Sequence, residues 1–144
     1  MNRLIRRLGT FTTAAALLAI AVGTGQSDAL AQASCAGTTS HQNGNIAVPV
    51  PSTSNNSGKF DCIVGPGNGG SAVKDLQQSM DFCRGEHLSV DGIYGPLTTA
   101  AMKRAQSVLG VTPDGVYGPV TRHAGFLFRA VTDSGHAVCD PAGF

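Results

Sequence analysis

The eight residues Asp91-Gly-Ile-Tyr-Gly-Pro-Leu-Thr98 return 23 positions later as Asp114-Gly-Val-Tyr-Gly-Pro-Val-Thr121. Six of the eight are identical, and the other two exchange one aliphatic residue for another. No other feature constrains the fold as much, because the same local structure has to form twice within a small chain. In each copy Asp-Gly makes a turn: the carboxylate accepts nearby backbone N–H groups and the glycine is free to take positive φ. Gly-Pro then opens a helix, since proline suits the first helical position. Gly92, Gly95 and Pro96 are therefore turn residues, matched by Gly115, Gly118 and Pro119. Thr98 and Thr121 fall in first helical turns, where a hydroxyl can meet an unpaired N–H. Asp91 and Asp114 read as turn formers rather than metal ligands, because no calcium-loop pattern follows either one.

Around the repeats the apolar spacing is helical. After Ser71, a suitable N-cap, Val73, Leu76, Met80 and Cys83 share one face, and Gly85 supplies a stop. A second helix opens at Gly95-Pro96, aligns Leu97, Ala101, Ala105, Val108 and Leu109, and ends at Gly110. A third opens at Gly118-Pro119 with Val120, Ala124, Leu127, Phe128 and Val131 inward, although Gly125 costs it up to about 1 kcal/mol. The expected fold is all-α: a small three-helix domain over residues 71–131, followed by a C-terminal tail at 132–144.

Residues 32–70 differ in kind. Of these 39, 23 are Gly, Pro, Ser, Asn or Thr, a composition poor in apolar surface, so an irregular arm is expected there. The alternating piece Asn45–Val50 reads as an edge strand or an extended arm, with Pro49 arguing against a central strand.

The first 31 residues have the form of an export signal. Arg3, Arg6 and Arg7 precede an apolar stretch, 11–22, which is shorter than the roughly 20 residues needed to cross a bilayer, and Ala29-Leu30-Ala31 offers a cleavage site after Ala31, with Ala33 as the alternative. Gln32 stands where a lipid-attachment motif before Cys35 would need an aliphatic residue. No stable membrane insertion is expected once this signal is removed. Its removal takes three Arg and Asp28 from totals of 10 cations and 9 anions, leaving 7 against 8. Such a balance excludes electrostatic capture of nucleic acid as the main mode of binding.

Cys35, Cys62, Cys83 and Cys139 are an even set in an exported chain, which reads as two disulfides. Four cysteines allow three pairings. The preferred one joins Cys62 to Cys139 as a clasp across both ends of the three-helix domain, leaving Cys35 with Cys83.

Taken together, Val73-x-x-Leu76-Gln77, Val90-Asp-Gly-Ile-Tyr-Gly-Pro-x-Thr98, Ala101-Met-x-x-Ala105-Gln106-x-x-x-Gly110-Val111 and the second Asp114-Gly copy stand in a spaced order. That order resembles the bacterial peptidoglycan-binding domain family of the three-helix, internally repeated type, over residues 71 to about 131. The resemblance implies a compact three-helix fold and non-covalent attachment to peptidoglycan, through glycan and stem peptide, usually beside a hydrolase domain. Two departures stand out. Ala105 occupies a place where the family usually has a large aromatic residue, so Phe82, Phe126 or Phe128 is expected to fill that space, and no catalytic domain accompanies the module.

For ligand contact, a glycan and peptide strand calls for an aromatic face and several hydrogen-bonding groups in a shallow groove. Tyr94 and Tyr117, at equivalent repeat positions, are candidates, with Thr98, Thr121 and Arg122 close by; the alternative is that both tyrosines are core residues holding the turns against the helices. No catalytic residue, metal or cofactor is expected. His41, His87, His123 and His136 are scattered, and the carboxylates do not pair into an evident hydrolytic couple. The expected protein is a secreted, non-catalytic wall binder, extracellular or wall-associated. The alternative is an exported interaction or inhibitory protein that engages a protein partner through the arm.

Overall fold

A computed structural model describes residues 32–143; the export signal expected at 1–31 lies outside the described residues. The chain forms strands β1 (Gly37–Asn43) and β2 (Ile46–Ser52), helices α1 (Ser71–Arg84), α2 (Pro96–Val108) and α3 (Pro119–His123), then strands β3 (Phe128–Thr132) and β4 (Ala137–Asp140). The strands make one antiparallel sheet in the order β1-β2-β3-β4. Among the described residues no helix is long and apolar enough to cross a membrane.

The sheet overturns the all-α expectation at both ends of the chain. At the N-terminal end, the stretch taken for an irregular arm is a hairpin turning at Gly44-Asn45, where Gly44 has φ +63° as a two-residue loop demands. Val48, Val50 and Ser52 alternate into the core, a period of two that the abundant polar and turn residues around them obscure. Pro49 and Pro51 are tolerated because β2 meets β3 only at Ile46 and Ala47, so at the prolines it has a strand neighbour on one side alone.

At the C-terminal end, the third helix stops at His123 instead of continuing to residue 131. Gly125 adopts φ +88° and breaks it, after which Phe126, Phe128 and Ala130 are buried at alternate positions, the signature of a strand. Val120 and Val131, expected to face inward, are exposed. The first two helices lie close to their expected bounds, although Gly70 rather than Ser71 occupies the N-cap of α1. The buried face of α2 is rotated from the expected one: Thr98, Ala101, Met102, Ala105 and Gln106 point inward, while Leu97 and Val108 face solvent.

Helix α1 sits between the two parts of the molecule. It packs on all four strands and also contacts α2. Ala72, Val73, Leu76 and Met80 join Val48, Val50, Phe128 and Ala130 in the core. Ser79 locks helix to sheet, its hydroxyl donating to the Asp75 carbonyl at 2.6 Å and accepting the Arg129 N–H at 3.1 Å. Tyr117, Phe126 and Phe128 pack edge-to-face with ring centroids 5.1–6.1 Å apart. Of the aromatics expected to compensate for Ala105, Phe82 is half exposed whereas Phe126 and Phe128 are buried.

The disulfides are Cys35–Cys62 and Cys83–Cys139, not the expected 62–139 and 35–83 pairs. The reason is an isolated bridge between Ser34 and Ile63 for the first pair and the sheet for the second. Cys35 donates to the Ile63 carbonyl at 2.8 Å and Ile63 to that of Ala33 at 2.9 Å, which sets Cys35 beside Cys62. Strand β4 folds back on β3, pairing Cys139 with Arg129 and bringing it to the C-terminal end of α1, where Cys83 lies.

Candidate functional site

Each repeat folds as the same hydrogen-bonded knot, gripped by a glutamine from the preceding helix. In the first, Asp91 Oδ1 accepts the Ile93 N–H at 2.9 Å, and Gln77 Nε2 donates to Asp91 Oδ1 at 2.8 Å, the Ile93 carbonyl at 3.1 Å and Thr98 Oγ1 at 3.2 Å. Gln77 Oε1 accepts the Gly92 N–H at 2.8 Å. In the second, Gln106 Nε2 donates to Asp114 Oδ1, the Val116 carbonyl and Thr121 Oγ1 at 2.7, 2.9 and 3.1 Å, and Gln106 Oε1 accepts the Gly115 N–H at 2.8 Å. The four glutamine contacts of one knot recur in the other. Both turns need glycine: Gly92 and Gly115 have φ +76° and +80°, and a Cβ there would crowd the stems of Lys74 and Lys103.

The two tyrosines face inward, and Tyr94 ties the knots together. Tyr94 Oη donates to the Gly115 carbonyl at 2.9 Å, so the first turn holds the second. The hydroxyl of Tyr117 is buried with no hydrogen-bond partner. Burial pushes both phenols well above their ordinary range, and the Asp114 carboxylate adds to the rise for Tyr94. A strap at residues 62–70 runs along both turns: Val64 and Tyr117 exchange backbone hydrogen bonds at 2.8 and 2.9 Å, and Tyr94 donates to the Asn68 carbonyl at 3.0 Å.

Beside each knot lies an open cleft. The first, about 220 Å³, is lined by Gln77, Leu88, Ser89, Asp91, Ile93, Leu97 and Thr98 among others. The second, about 360 Å³, is lined by Gln106, Val111, Thr112, Asp114, Val116, Val120 and Thr121, with Ile63 as an added wall. Apart from the glutamines, these linings correspond one to one at the repeat offset, so the duplication extends upstream to Leu88 and Val111. A third cleft, about 340 Å³, lies against Pro66, Tyr94, Pro96, Thr99, Ala100 and Lys103.

Residues 69–124 match the family model described as a putative peptidoglycan binding domain, a span that contains both knots. Over this segment the chain is similar to that family. Over 51 residues the chain is 43% identical to the autolytic lysozyme of Clostridium acetobutylicum, an overlap of 35% of this chain but only 16% of that enzyme. Among solved structures, the SleB N-terminal domain is similar at 27% identity and TM-score 0.42, covering 44% of this chain and 86% of that one. A peptidoglycan-binding protein from Clostridioides difficile, solved with glutamine hydroxamate, is similar at 24% identity and TM-score 0.43, covering 54% and 48% of the two chains.

Of the residues singled out from sequence, Thr98 and Thr121 line the two knot clefts, whereas Tyr94, Tyr117 and Arg122 line neither. Tyr94, Thr98, Tyr117, Thr121 and Arg122 are all buried. The two threonine hydroxyls accept from the glutamines at the cleft floors. Arg122 donates to the Phe60 carbonyl and, at 3.1 Å, to Asp61, pinning the start of the strap. Asp91 and Asp114 form the turns as the sequence implies. The Gln77 amide and the Ile93 N–H hold the Asp91 carboxyl below its ordinary value.

Sequence reading missed the two glutamines as a pair. The available signal was their position, each three residues after a lysine and each on the helix preceding an Asp-Gly turn. It also missed the exposed aliphatics: Ile93, Leu97 and Val120 are 64, 76 and 70% exposed at the mouths of the clefts. Among the described residues no three His, Cys, Asp or Glu side chains are grouped to hold a metal.

Proposed function

We propose that this protein is exported and binds bacterial cell-wall peptidoglycan without cleaving it, using the two knot-and-cleft units. The observation that carries the reading is the match of residues 69–124 to the peptidoglycan-binding domain family, with both copies of the repeat intact. Two disulfides support a location outside the cytoplasm, at the wall or beyond it, and the basic and apolar start of the chain agrees with export. Binding rather than catalysis is favoured by the use of the polar side chains: the glutamines, threonines and one oxygen of each aspartate are spent on holding the turns. Shape and exposed aliphatic surface then remain for contact, which suits a chain of low net charge.

The test is co-sedimentation of the disulfide-bonded protein with purified insoluble peptidoglycan, beside a wall-free polysaccharide. The reading requires the protein in the wall pellet and intact wall in the tube. A protein that stays in the supernatant at every salt concentration overturns it, and release of soluble muropeptides turns it into a hydrolase. A competing reading has a protein partner on β1, an outer strand of the sheet; recovery of one stoichiometric partner in a pull-down, with no wall binding, would favour it.

A further inference from the structure

We propose that each of the two repeat-related clefts receives the alkylammonium side chain of a diamino residue in a wall stem peptide, so that one module holds two such side chains. The proposal rests on the peptidoglycan reading and names the part of that polymer the site recognises.

Three observations converge on this chemistry. First, the cleft walls are aliphatic and branched: Leu88, Ile93 and Leu97 in one, Val111, Val116 and Val120 at the same places in the other. Several of these are largely open to solvent, an unfavourable placement for apolar surface unless a ligand covers it. Second, each cleft has one carboxylate, Asp91 or Asp114, and neither is paired with a cation. The ion pairs among the described residues are Arg104–Glu86 and Arg122–Asp61. Lys74 and Lys103 lay their stems against the turn glycines without pairing with these aspartates. Third, the arrangement occurs twice, with wall residues and carboxylate each conserved in type at the repeat offset.

A ligand that fits has a short alkyl chain for the branched wall and a positive charge for the open carboxylate. A sugar ring lacks the charge, and neither cleft lining includes an exposed aromatic face on which a ring could stack. A chain ending in a carboxylate would meet Asp91 or Asp114 with like charge. An amine on an alkyl chain satisfies both walls at once.

The experiment is calorimetric titration of the disulfide-bonded protein with the tripeptide L-alanyl-D-isoglutamyl-L-lysine, with its Nε-acetyl form, and with a glucosamine tetramer, which carries primary amines on a glycan. The expected result is two tripeptides per chain, weakening of at least about tenfold on acetylation, and no binding of the tetramer. Asp91→Asn and Asp114→Asn keep an oxygen to accept the Ile93 or Val116 N–H, and each should leave one site. Equal affinity for the acetylated peptide overturns the proposal, as does preference for the glucosamine tetramer. The acetylation comparison needs no variant, so it stands even if an Asn variant unfolds. Failure here with native wall still sedimenting removes this inference alone; failure of sedimentation removes the peptidoglycan reading with it.

Discussion

The hydroxyl of Tyr94 reaches from the first turn to the carbonyl of Gly115 in the second, a buried hydrogen bond of 2.9 Å. Its repeat counterpart, Tyr117, packs its ring against Phe126 and Phe128, and its buried hydroxyl bonds to nothing. Identical residues at identical repeat positions thus do different work. Tyr94→Phe should cost about 1–2 kcal/mol, because it leaves a buried carbonyl short of its donor, whereas Tyr117→Phe should change stability by less than about 0.5 kcal/mol or raise it. Urea midpoints of the two variants, measured together, check the contrast.

The glutamine knots carry a heavier load. Gln77→Ala and Gln106→Ala each remove a side chain that donates to three acceptors and accepts one N–H. Each should destabilise the protein by roughly 2–4 kcal/mol, since the turn groups are left unsatisfied in part-buried surroundings. Thermal melts should show this, and hydrogen exchange should rise first at Gly92 or Gly115, according to which glutamine is lost.

Two aspartates should respond oppositely to acid. Asp91 is held below its ordinary value by Gln77 and the Ile93 N–H, so its contribution to stability is present above the unfolded-state value near 4 and is lost as pH falls through the folded value. Asp75 is raised by burial at the α1–β1 contact, where it accepts from the Thr38 hydroxyl. Its ionisation therefore costs the folded state stability as pH rises from 3.8 through the raised value. Asp91→Asn should lose less stability than the parent as pH falls below about 4. Asp75→Asn should flatten the parent's decline above pH 4. Denaturant unfolding across this range reads both signs.

Reduction should strike the two disulfides unequally. The Cys83–Cys139 link closes a sequence separation of 56 residues and Cys35–Cys62 one of 27, corresponding in the chain-entropy account to roughly 4 and 3.5 kcal/mol. Cys83→Ser/Cys139→Ser should lower the melting temperature more than Cys35→Ser/Cys62→Ser, beyond the entropic difference, because β4 also loses its tie to α1.

Leu97 and Val120 offer a binding test free of folding effects. Both are more than two-thirds exposed, so Leu97→Ser and Val120→Ser should alter stability by less than about 0.5 kcal/mol. On the proposed function, both should weaken sedimentation with insoluble wall, and the double variant more than either alone.

What could be read from sequence was what local chemistry decides. The Asp-Gly turns, the Gly-Pro helix starts and the bounds of α1 and α2 follow from residues that act on their immediate neighbours. The two hairpins are local, but polar and turn residues mask their period of two. The pairing that joins them into one sheet, Ile46 with Thr132, links distant segments, as does Asn43 Nδ2 with Asp140 Oδ1 at 2.9 Å. Phe126 to Val131 can be laid on a helical or an extended template, and only the break at Gly125 with the partner strands decides between them. The tyrosines carry an apolar ring and a polar tip, so spacing alone does not say whether they point in or out. Gln77 and Gln106 look like ordinary polar helix residues until the turns they grip are folded beside them.

Helix α1 belongs to the family segment, yet the sheet that covers it comes from outside that segment, two strands from before it and two from after. The unit recognised by resemblance is therefore smaller than the unit that closes its core. During synthesis, the β3–β4 hairpin is the last part of this fold to emerge, and β3 and β4 cannot cover α1 until it does. A chain halted after residue 124 would possess the complete recognition sequence and still lack half of the sheet against which its first helix packs.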